Sequence, residues 1–472
     1  MIPNSTLDVL RSVLGETRCR TDPATTLAYS YDNSRLHHRP DAVVFPEATG
    51  EVEAIVACAA KDRIPLVARG LGSNTTGASV PVEGGVVLST ERMRAILEFA
   101  PDDRLIVTEP GALNTDVQHT ARTRGLFWPP DPSSASHSTV GGNIATNAGG
   151  PRAVRYGTTR DHVLGLVAVD GRGRAFRCGV RTPKSSVGYD LTRLLVGSEG
   201  TLAVITEATL HLVPCASDSL TYRAVYRSYE EATRAISAIL NQPLPPSAIE
   251  FLDERALQLI RSEIPGIPEA GRALLLIELE QNRPFTPPET AMFEALLARE
   301  GLIDLERADE ETARESLWLA RKSLSPALRR LAPGKINEDV VVPLSRLPAL
   351  VDAVFAIGSR QKTEVVTFGH AGSGNLHVNL LFDPADPAAD ARARSALSEV
   401  FEAVLGLDGA ISGEHGIGLS KRPFMAAGLD PVTLDLMRDL KTLFDPSGIL
   451  NPGKLLPPRG ADSACAEPGG PT

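Results

Sequence analysis

Cysteine is scarce in this 472-residue chain, and its five copies are not arranged as metal ligands or as a disulfide framework. They are odd in number, widely scattered and never spaced as C-x-x-C: Cys19, Cys58, Cys178, Cys215 and Cys465. This pattern speaks against disulfides, structural zinc and iron–sulfur clusters, and it favours a reducing compartment.

Runs of basic residues and long apolar runs are also lacking. Lys and Arg total 48 against 58 Asp and Glu, a formal charge of −10, and the basic residues are nowhere concentrated, so no nucleic-acid partner is expected. No run of about eighteen apolar residues occurs, and the N-terminus lacks the charged start and apolar stretch of a signal peptide. We expect no transmembrane segment and a cytoplasmic location, with any contact to the inner face of a membrane being peripheral.

The order of predicted elements indicates an α+β fold with two or three domains. Before Pro214, apolar residues at helical spacing near residues 52–59 precede short strands, and a hairpin is predicted around the Asp170-Gly171 turn. After Pro214, strands over 248–253 and 273–280 are separated by amphipathic stretches, which predicts an antiparallel sheet covered by helices. The predicted helices of this half cover 228–240, 254–263, 289–300, 310–331 and 345–357.

These changes of pattern predict four parts of the chain. A first domain covers 1–214 as two α+β subdomains, and a second covers 215–410. A C-terminal segment covers 411–456, and a tail over 457–472 has too little apolar content to pack, so it is predicted to be disordered.

Two loops of the first domain are rich in glycine and small polar residues. The loop ARGLGSNTTGASVP follows a strand and lets backbone N–H groups converge on a phosphate, although an ordinary turn is an equal alternative. It matches neither the dinucleotide-binding nor the P-loop glycine pattern. The loop PPDPSSASHSTVGGNIATNAGG is longer than a connection needs and could lie flat against a planar ring; the alternative is a loop ordered only by itself.

Histidines at a predicted hairpin form a candidate metal site. In EVVTFGHAGSGNLHVNLLF, the Gly-Ser-Gly turn separates His370 from His377, so a hairpin sets the two imidazoles side by side. Glu414, beside His415 in ISGEHGIG, is a third candidate ligand. Two imidazoles and one carboxylate leave coordination positions open, which suits catalytic Zn, or Mn and Fe; the alternative is that each histidine hydrogen-bonds a backbone carbonyl.

The two loops, followed by VRYGTTRDHVLGLVAVDGRG and GYDLTRLLVGSEGTLAVIT, resemble the vanillyl-alcohol-oxidase/p-cresol-methylhydroxylase-type flavoproteins. With the histidine strings, residues 40–455 resemble the FAD-binding D-2-hydroxy-acid dehydrogenase branch, which includes D-lactate, glycolate and D-2-hydroxyglutarate dehydrogenases. The resemblance implies a two-lobed fold in which the first domain binds FAD, the second is a substrate-binding cap, and the C-terminal segment closes the active site.

The resemblance also implies which residues contact FAD. It places the pyrophosphate on the first loop, and the second loop and Glu199-Gly200-Thr201 around the isoalloxazine and ribityl chain. The expected contacts are Arg69, Gly70, Gly72, Ser73, Asn74, Thr75, Thr76, Gly77, Pro130, Ser133, Thr139, Gly141, Gly142, Asn143, Thr146, Asn147, Gly149, Gly150, Tyr156, Glu199, Gly200, Thr201 and Ile205. Relatives that tether FAD covalently often use a histidine of the first loop, and Ser73 and Asn74 stand there instead, so FAD is predicted to be non-covalent.

The chemistry implied is oxidation of a small 2-hydroxy acid. The resemblance gives His370, His377 and Glu414 as metal ligands; a bound cation would acidify the hydroxyl, and His415 would take its proton, unless His415 is itself a ligand. The hydride would pass to flavin N5.

The substrate carboxylate needs cations, and Arg321 and Lys335 match the family's carboxylate-binding positions, with Asn379 beside the metal ligands. The alternative for Arg321 is an exposed helix charge. The string KINED replaces an aromatic-rich stretch of several relatives, which leaves substrate size open.

Two other functions fit the same architecture. One is a non-redox transferase resembling alkyl-dihydroxyacetonephosphate synthase, although no apolar arm for a lipid tail is present; the other is a flavin-holding subunit of a larger assembly. No nicotinamide fingerprint, haem signature or cluster cysteines occur, so electrons must leave to an external carrier: a quinone, a cytochrome or electron-transfer flavoprotein. The pattern allows a homodimer.

Overall fold

The computed structural model describes residues 2–261, 264, 266–299 and 301–459. Its contacts divide the chain into two compact units. As far as they are described, the first unit is formed by Met1–Gly150, Gly157–Cys215 and Glu414–Thr472, and the second by Pro151–Tyr156 and Ala216–Gly413. Residues 460–472 of the predicted tail lie outside the described residues.

The first unit contains two main sheets. A four-stranded sheet pairs its first two strands antiparallel and the others parallel, in the order Cys19–Arg20, Ala42–Val44, Val86–Ser89, Leu66–Arg69. A five-stranded antiparallel sheet has the order Ile96–Ala100, Leu105–Thr108, Ala203–His211, Val163–Asp170, Ala175–Gly179. A small third sheet pairs Leu126–Phe127 with Val213–Pro214.

Short helices accompany these sheets. They are Asn4–Leu14, Pro23–Ala28, Thr49–Asp62, Asn114–Arg122, Ala135–His137, Val140–Thr146, Thr159–His162, Leu191–Leu195, Arg422–Gly428 and Pro431–Phe444. Helix Thr49–Asp62 buries Val52, Ile55, Val56 and Ala59, the residues whose spacing predicted it, in the core that also contains Leu66. The hairpin predicted at Asp170-Gly171 is confirmed, since Val169 pairs with Ala175.

The second unit contains one seven-stranded antiparallel sheet. Its strand order is Leu302–Ala308, Asp218–Tyr226, Ala273–Gln281, Ala248–Leu252, Glu364–Gly369, Asn375–Phe382, Gly334–Val341. Strand Ala273–Gln281 is buried at every position except its last, because it is an inner strand covered on both faces, which explains its nearly unbroken apolar sequence.

Helices cover this sheet as predicted. They are Ala153–Tyr156, Tyr229–Leu240, Glu254–Ile260, Pro287–Leu297, Glu311–Lys322, Leu324–Leu331, Leu344–Arg346, Leu347–Gln361, Ala371–Ser373 and Pro387–Gly406. The single long helix predicted over 310–331 is wrong, because the chain forms two helices that meet at Ser323. Pro326, in the first turn of the second helix, has no N–H to continue the hydrogen bonding of the first. No helix in the described ranges is long and apolar enough to cross a membrane.

Candidate functional site

The first glycine loop leaves the end of strand Leu66–Arg69 in the first unit. The Arg69 guanidinium is buried, donates to the Tyr31 carbonyl oxygen at 2.6 Å and lies over the Tyr29 ring at 5.4 Å. Gly72 has a φ of 70°, and a Cβ on it would lie 2.2 Å from an Arg69 nitrogen. The Arg69 side chain therefore packs against the loop at Gly72 and supports its conformation. Direct contact between Arg69 and FAD stays a prediction.

Asn74 organises the tip of this loop. Its Oδ1 accepts hydrogen bonds from the Thr76 N–H at 2.8 Å, the Thr76 hydroxyl at 2.9 Å and the Ala78 N–H at 3.2 Å. Its Nδ2 donates to the His415 carbonyl oxygen at 3.0 Å. The side chain at the position where a covalent tether would be expected thus maintains the loop and the His415 backbone.

The second loop contains a short helix that abuts the first loop. Thr139 caps helix Val140–Thr146 by accepting the Gly142 N–H at 3.1 Å. A Cβ on Gly70 would lie 2.4 Å from the Thr139 hydroxyl oxygen, so glycine permits the close approach of the two loops.

Glu199 is buried in a left-handed backbone conformation, with φ 51°. Its carboxylate accepts the Ile417 N–H at 2.6 Å and the Gly418 N–H at 2.8 Å. Burial raises the pKa of this carboxyl group, and the two N–H donors oppose that rise. Glu199 therefore anchors the segment that follows His415, a role that its position in the string GSEGT did not indicate.

Other residues expected to contact FAD differ in burial and in the unit to which they belong. Pro130 is buried and its carbonyl oxygen accepts the Asn114 amide at 3.0 Å, whereas Ser133 is exposed. Tyr156 belongs to the second unit, where its hydroxyl donates to Glu280 Oε2 at 2.8 Å. The roles of these residues toward FAD stay predictions.

The residues of the two loops fit a bound polar cofactor. The Thr75 hydroxyl and the Asn143 Nδ2 are buried, one in each loop, and neither has a hydrogen-bond partner among the described residues. Buried polar groups are normally hydrogen-bonded, so these two atoms indicate a ligand with acceptor groups at the loops. FAD, with its phosphates, ribityl hydroxyls and ring carbonyls, is such a ligand.

The candidate metal ligands His370 and His377 lie together in the second unit. Strands Glu364–Gly369 and Asn375–Phe382 form the predicted hairpin, with Phe368 paired to His377. The imidazoles are buried, with ring centroids 5.2 Å apart and nearly perpendicular planes. The side-by-side placement predicted from the hairpin is confirmed.

Glu250 connects one of these histidines to Arg321. Its Oε1 lies 2.5 Å from His370 Nδ1, and its Oε2 accepts Arg321 Nε at 2.5 Å. Burial would raise the pKa of Glu250, but His370 and Arg321 outweigh it and hold the pKa at about 2. A carboxylate on the Nδ1 side of an imidazole is typical of metal-binding histidines, because it orients the ring and presents Nε2.

Glu250 is a residue of the candidate site that the sequence motifs did not single out. The signal was a single glutamate inside the apolar strand AIEFLD, since a charged residue at a buried position must be paired. The alternative that Arg321 is an exposed helix charge is wrong, because its side chain is only 14% exposed. Its guanidinium also lies over the Phe368 ring, at 4.7 Å from the ring centroid.

Glu414 is the residue directly after Gly413, whose N–H donates to Asp339 Oδ2 at 2.6 Å. Glu414 begins the last segment of the first unit, whereas His370 and His377 lie in the second unit, so its coordination of the same metal stays a prediction. Two imidazoles and a carboxylate are a donor set that fits a divalent cation, so these residue types pass a test of composition.

Asn379 has a mainly structural environment. It is fully buried, donates to the Val366 and His377 carbonyl oxygens at 3.1 and 3.3 Å, and accepts from Asn337 at 2.6 Å. With its amide engaged in the sheet, substrate binding by Asn379 stays a prediction, as it does for the half-buried Lys335.

Protein families of known type match residues in both units of the chain. The family described as "FAD linked oxidases, C-terminal domain" matches residues 216–455, and the "FAD binding domain" matches residues 40–179. The glycolate oxidase subunit GlcD of Bacillus subtilis is 39% identical, covering 96% of this chain and 97% of that protein. The D-2-hydroxyglutarate dehydrogenase of Stutzerimonas stutzeri is 32% identical, covering 95% and 98%.

A solved structure extends this agreement to the fold. The structure of p-cresol methylhydroxylase with substrate bound superposes with a TM-score of 0.79 at 16% identity, covering 96% of each chain. This likeness confirms the predicted fold class and, at that identity, shows the fold alone. With the two family matches and the two relatives above, it follows that the chain belongs to the FAD-linked oxidases, a family of flavin-dependent oxidoreductases.

Proposed function

We propose that the chain oxidises a small D-2-hydroxy acid of the glycolate, D-lactate or D-2-hydroxyglutarate class to the 2-keto acid. Non-covalent FAD would be the oxidant, a divalent metal, zinc or else manganese or iron, would assist, and electrons would leave to an external carrier. The observation that carries the proposal is the pair of buried imidazoles His370 and His377, with the Glu250 carboxylate 2.5 Å from His370 Nδ1. The names of the relatives support the substrate class.

When bound, FAD supplies a hydride acceptor at N5 and the metal supplies a Lewis acid. His370, His377 and Glu414 would hold the metal, and Glu250 would orient His370. His415 takes the hydroxyl proton, since a neutral imidazole is a suitable base near neutral pH.

Arg321 is suited to bind the substrate carboxylate. It gives only Nε to Glu250, and within the described part of the chain its two terminal nitrogens make no hydrogen bond. A guanidinium held on one side by a buried carboxylate presents these nitrogens in a fixed direction, which favours binding of a planar carboxylate. Lys335 would add a second cation.

The test is anaerobic reduction of the flavin by candidate acids. Glycolate, D-lactate and D-2-hydroxyglutarate are mixed separately with full-length protein containing FAD, and L-lactate is included for stereochemistry. We expect at least one of the three acids to bleach the yellow flavin. Acid precipitation of the protein should release the flavin into solution, because the FAD is proposed to be non-covalent. If none of them bleaches it, the proposed substrate class is wrong.

The metal is tested by His377→Ala, with His119→Ala as a matched control because His119 is an exposed histidine of helix Asn114–Arg122. We expect His377→Ala to lose the metal and to reduce the flavin at least about a hundredfold more slowly, whereas the control keeps both. Unchanged reduction by His377→Ala would contradict the metal-assisted mechanism.

The relatives named above are not named as transferases, so a non-redox transferase has no support beyond the shared architecture.

A further inference from the structure

A buried lysine near the end of the described chain has no ion-pair partner among the residues that the structure describes. Lys454 is 4% exposed, and its Nζ makes one hydrogen bond, to Asn451 Oδ1 at 3.1 Å. Among the described residues, no carboxylate oxygen lies within 4 Å of it. Burial lowers the pKa of Lys454 to about 8, although Asp32 and Glu199 act to raise it. An ammonium group has three donors, so two of them are left without an acceptor.

A second lysine of the same unit, partly buried, provides a reference. Lys441 Nζ donates to the Thr201 carbonyl oxygen at 2.8 Å and the Leu450 carbonyl oxygen at 2.7 Å, and it pairs with the Asp445 carboxylate. All three donors of Lys441 are satisfied within the protein. Lys441 is therefore a structural lysine, and Lys454 differs from it in having one hydrogen bond and no ion pair among the described residues.

The segment that carries Lys454 is hydrogen-bonded to two parts of the chain that are predicted to contact FAD, the first glycine loop with its preceding strand and Glu199. Asn451 binds strand Leu66–Arg69 through its N–H, which donates to the Leu66 carbonyl oxygen at 2.8 Å. Its side-chain amide donates to the Ala78 carbonyl oxygen at 2.9 Å and the Glu199 carbonyl oxygen at 2.7 Å. The segment that carries Lys454 is thereby fixed between the end of the first glycine loop and Glu199.

The nearest buried carboxylates do not form an ion pair with Lys454. Asp32 and Glu199 act to raise its pKa, but among the described residues neither places a carboxylate oxygen within 4 Å of Lys454 Nζ. A buried cation without an ion-pair partner is costly, so a negatively charged group is expected beside it when the protein functions.

We propose that Lys454 is a cofactor-binding residue whose ammonium group pairs with a negatively charged part of bound FAD. The partner is the pyrophosphate, which the adjacent glycine loop is expected to hold, or the N1–C2 carbonyl edge of the flavin ring, which becomes anionic on reduction. The proposal rests on FAD binding and not on the hydroxy-acid activity, so it stands or fails separately from the substrate class.

The test compares Lys454→Met and Lys454→Arg with wild type, all as full-length protein stripped of FAD. Affinities are measured for FAD, for ADP, which carries the diphosphate without the ring, and for riboflavin; the flavin midpoint potential and the apoprotein melting temperature are also measured. Lys441→Met is the matched control, because it removes a partly buried lysine that has its own partners.

We expect Lys454→Met to weaken FAD binding by about 10- to 100-fold, the range for one charge-assisted hydrogen bond, and Lys454→Arg to restore part of it. The apoprotein of Lys454→Met should melt at or above the wild-type temperature, because this substitution removes a buried charge that has no ion-pair partner. The apoprotein of Lys441→Met should melt below the wild-type temperature. A parallel loss of ADP affinity identifies the pyrophosphate. Unchanged ADP affinity, with weaker riboflavin binding and a shifted potential, identifies the ring. Unchanged FAD affinity, or an apoprotein that melts lower than wild type, would overturn the proposal.

Discussion

Glu250 illustrates how a single buried charge organises the candidate site. It is completely buried, and it is stabilised only because His370 and Arg321 approach its two oxygens from different elements. A buried carboxylate without such partners would cost several kcal/mol. The same residue thus orients one proposed metal ligand and the proposed carboxylate-binding arginine.

Replacing Glu250 by glutamine tests this double role. The amide keeps the shape but removes the charge that pairs with both partners, so we expect metal affinity to fall about 10- to 100-fold and stability to fall by about 3–5 kcal/mol. Metal content after dialysis and urea unfolding of the variant measure the two effects. Glu254→Gln, at a partly exposed carboxylate on the neighbouring helix, is the control and should change neither. Full metal retention by Glu250→Gln would contradict the role of Glu250 in orienting His370.

The lowered pKa of Lys454 predicts a pH-dependent stability of the apoprotein. The folded pKa is about 8 and the unfolded value is 10.5, so between these values the unfolded chain binds more protons and stability rises with pH. Below pH 8 the full cost of the buried charge is present. We expect the stability advantage of Lys454→Met over wild type to shrink by on the order of 2–3 kcal/mol from pH 8 to pH 10.5, as measured by urea unfolding. An advantage that stays constant with pH would mean that Lys454 is not buried as a charge.

The first glycine loop illustrates a constraint at the scale of an element. Gly72 adopts a positive φ, and the space beside it is filled by the Arg69 guanidinium. Gly125 has a similar φ of 66°, but no atom of the described residues lies within 4 Å of where its Cβ would be. The two glycines therefore separate the cost of the backbone conformation from the cost of a clash.

We expect Gly125→Ala to lose about 1 kcal/mol of stability, because alanine is strained at positive φ, and Gly72→Ala to lose more than this because the Arg69 guanidinium must also move. Only Gly72→Ala should also displace Arg69 and lower FAD affinity, by about tenfold or more. Thermal melting of the apoproteins and titration with FAD measure the two effects. Equal FAD affinities for the two variants would show that the loop tolerates movement of Arg69.

The elements that could be predicted from sequence are those set by local contacts. The two hairpins follow from a turn and the strands beside it, so Val169–Ala175 and Phe368–His377 pair as expected. The partner of His370 could not be predicted, because Glu250 is 120 residues away and only the sheet order brings the two together. The break at Ser323 was missed because the apolar spacing continues through Pro326, whose effect is on the backbone alone.

At the scale of the whole chain, the first unit is discontinuous. The chain leaves this unit at Cys215 and returns at Glu414, so its core is completed only when the last segment has been added. Ile449 and Leu450 are buried in the core with Leu66, and the Leu66 N–H donates to the Ile449 carbonyl oxygen at 2.8 Å. Lys454, the buried lysine without an ion-pair partner among the described residues, also belongs to this segment.

A chain ending at Gly413 should therefore fail to form the first unit, although it keeps both glycine loops. Loss of the buried Ile449 and Leu450 side chains alone removes about 3–6 kcal/mol, which is comparable to the whole stability of many domains, about 5–15 kcal/mol. A chain ending at Arg459 keeps every contact named here and is the control. We expect the shorter chain to lack bound FAD and to be recovered mainly in the insoluble fraction, whereas the control is yellow and soluble. FAD binding by the shorter chain would mean that the two loops fold without the last segment, and it would also remove the basis for placing Lys454 at the cofactor.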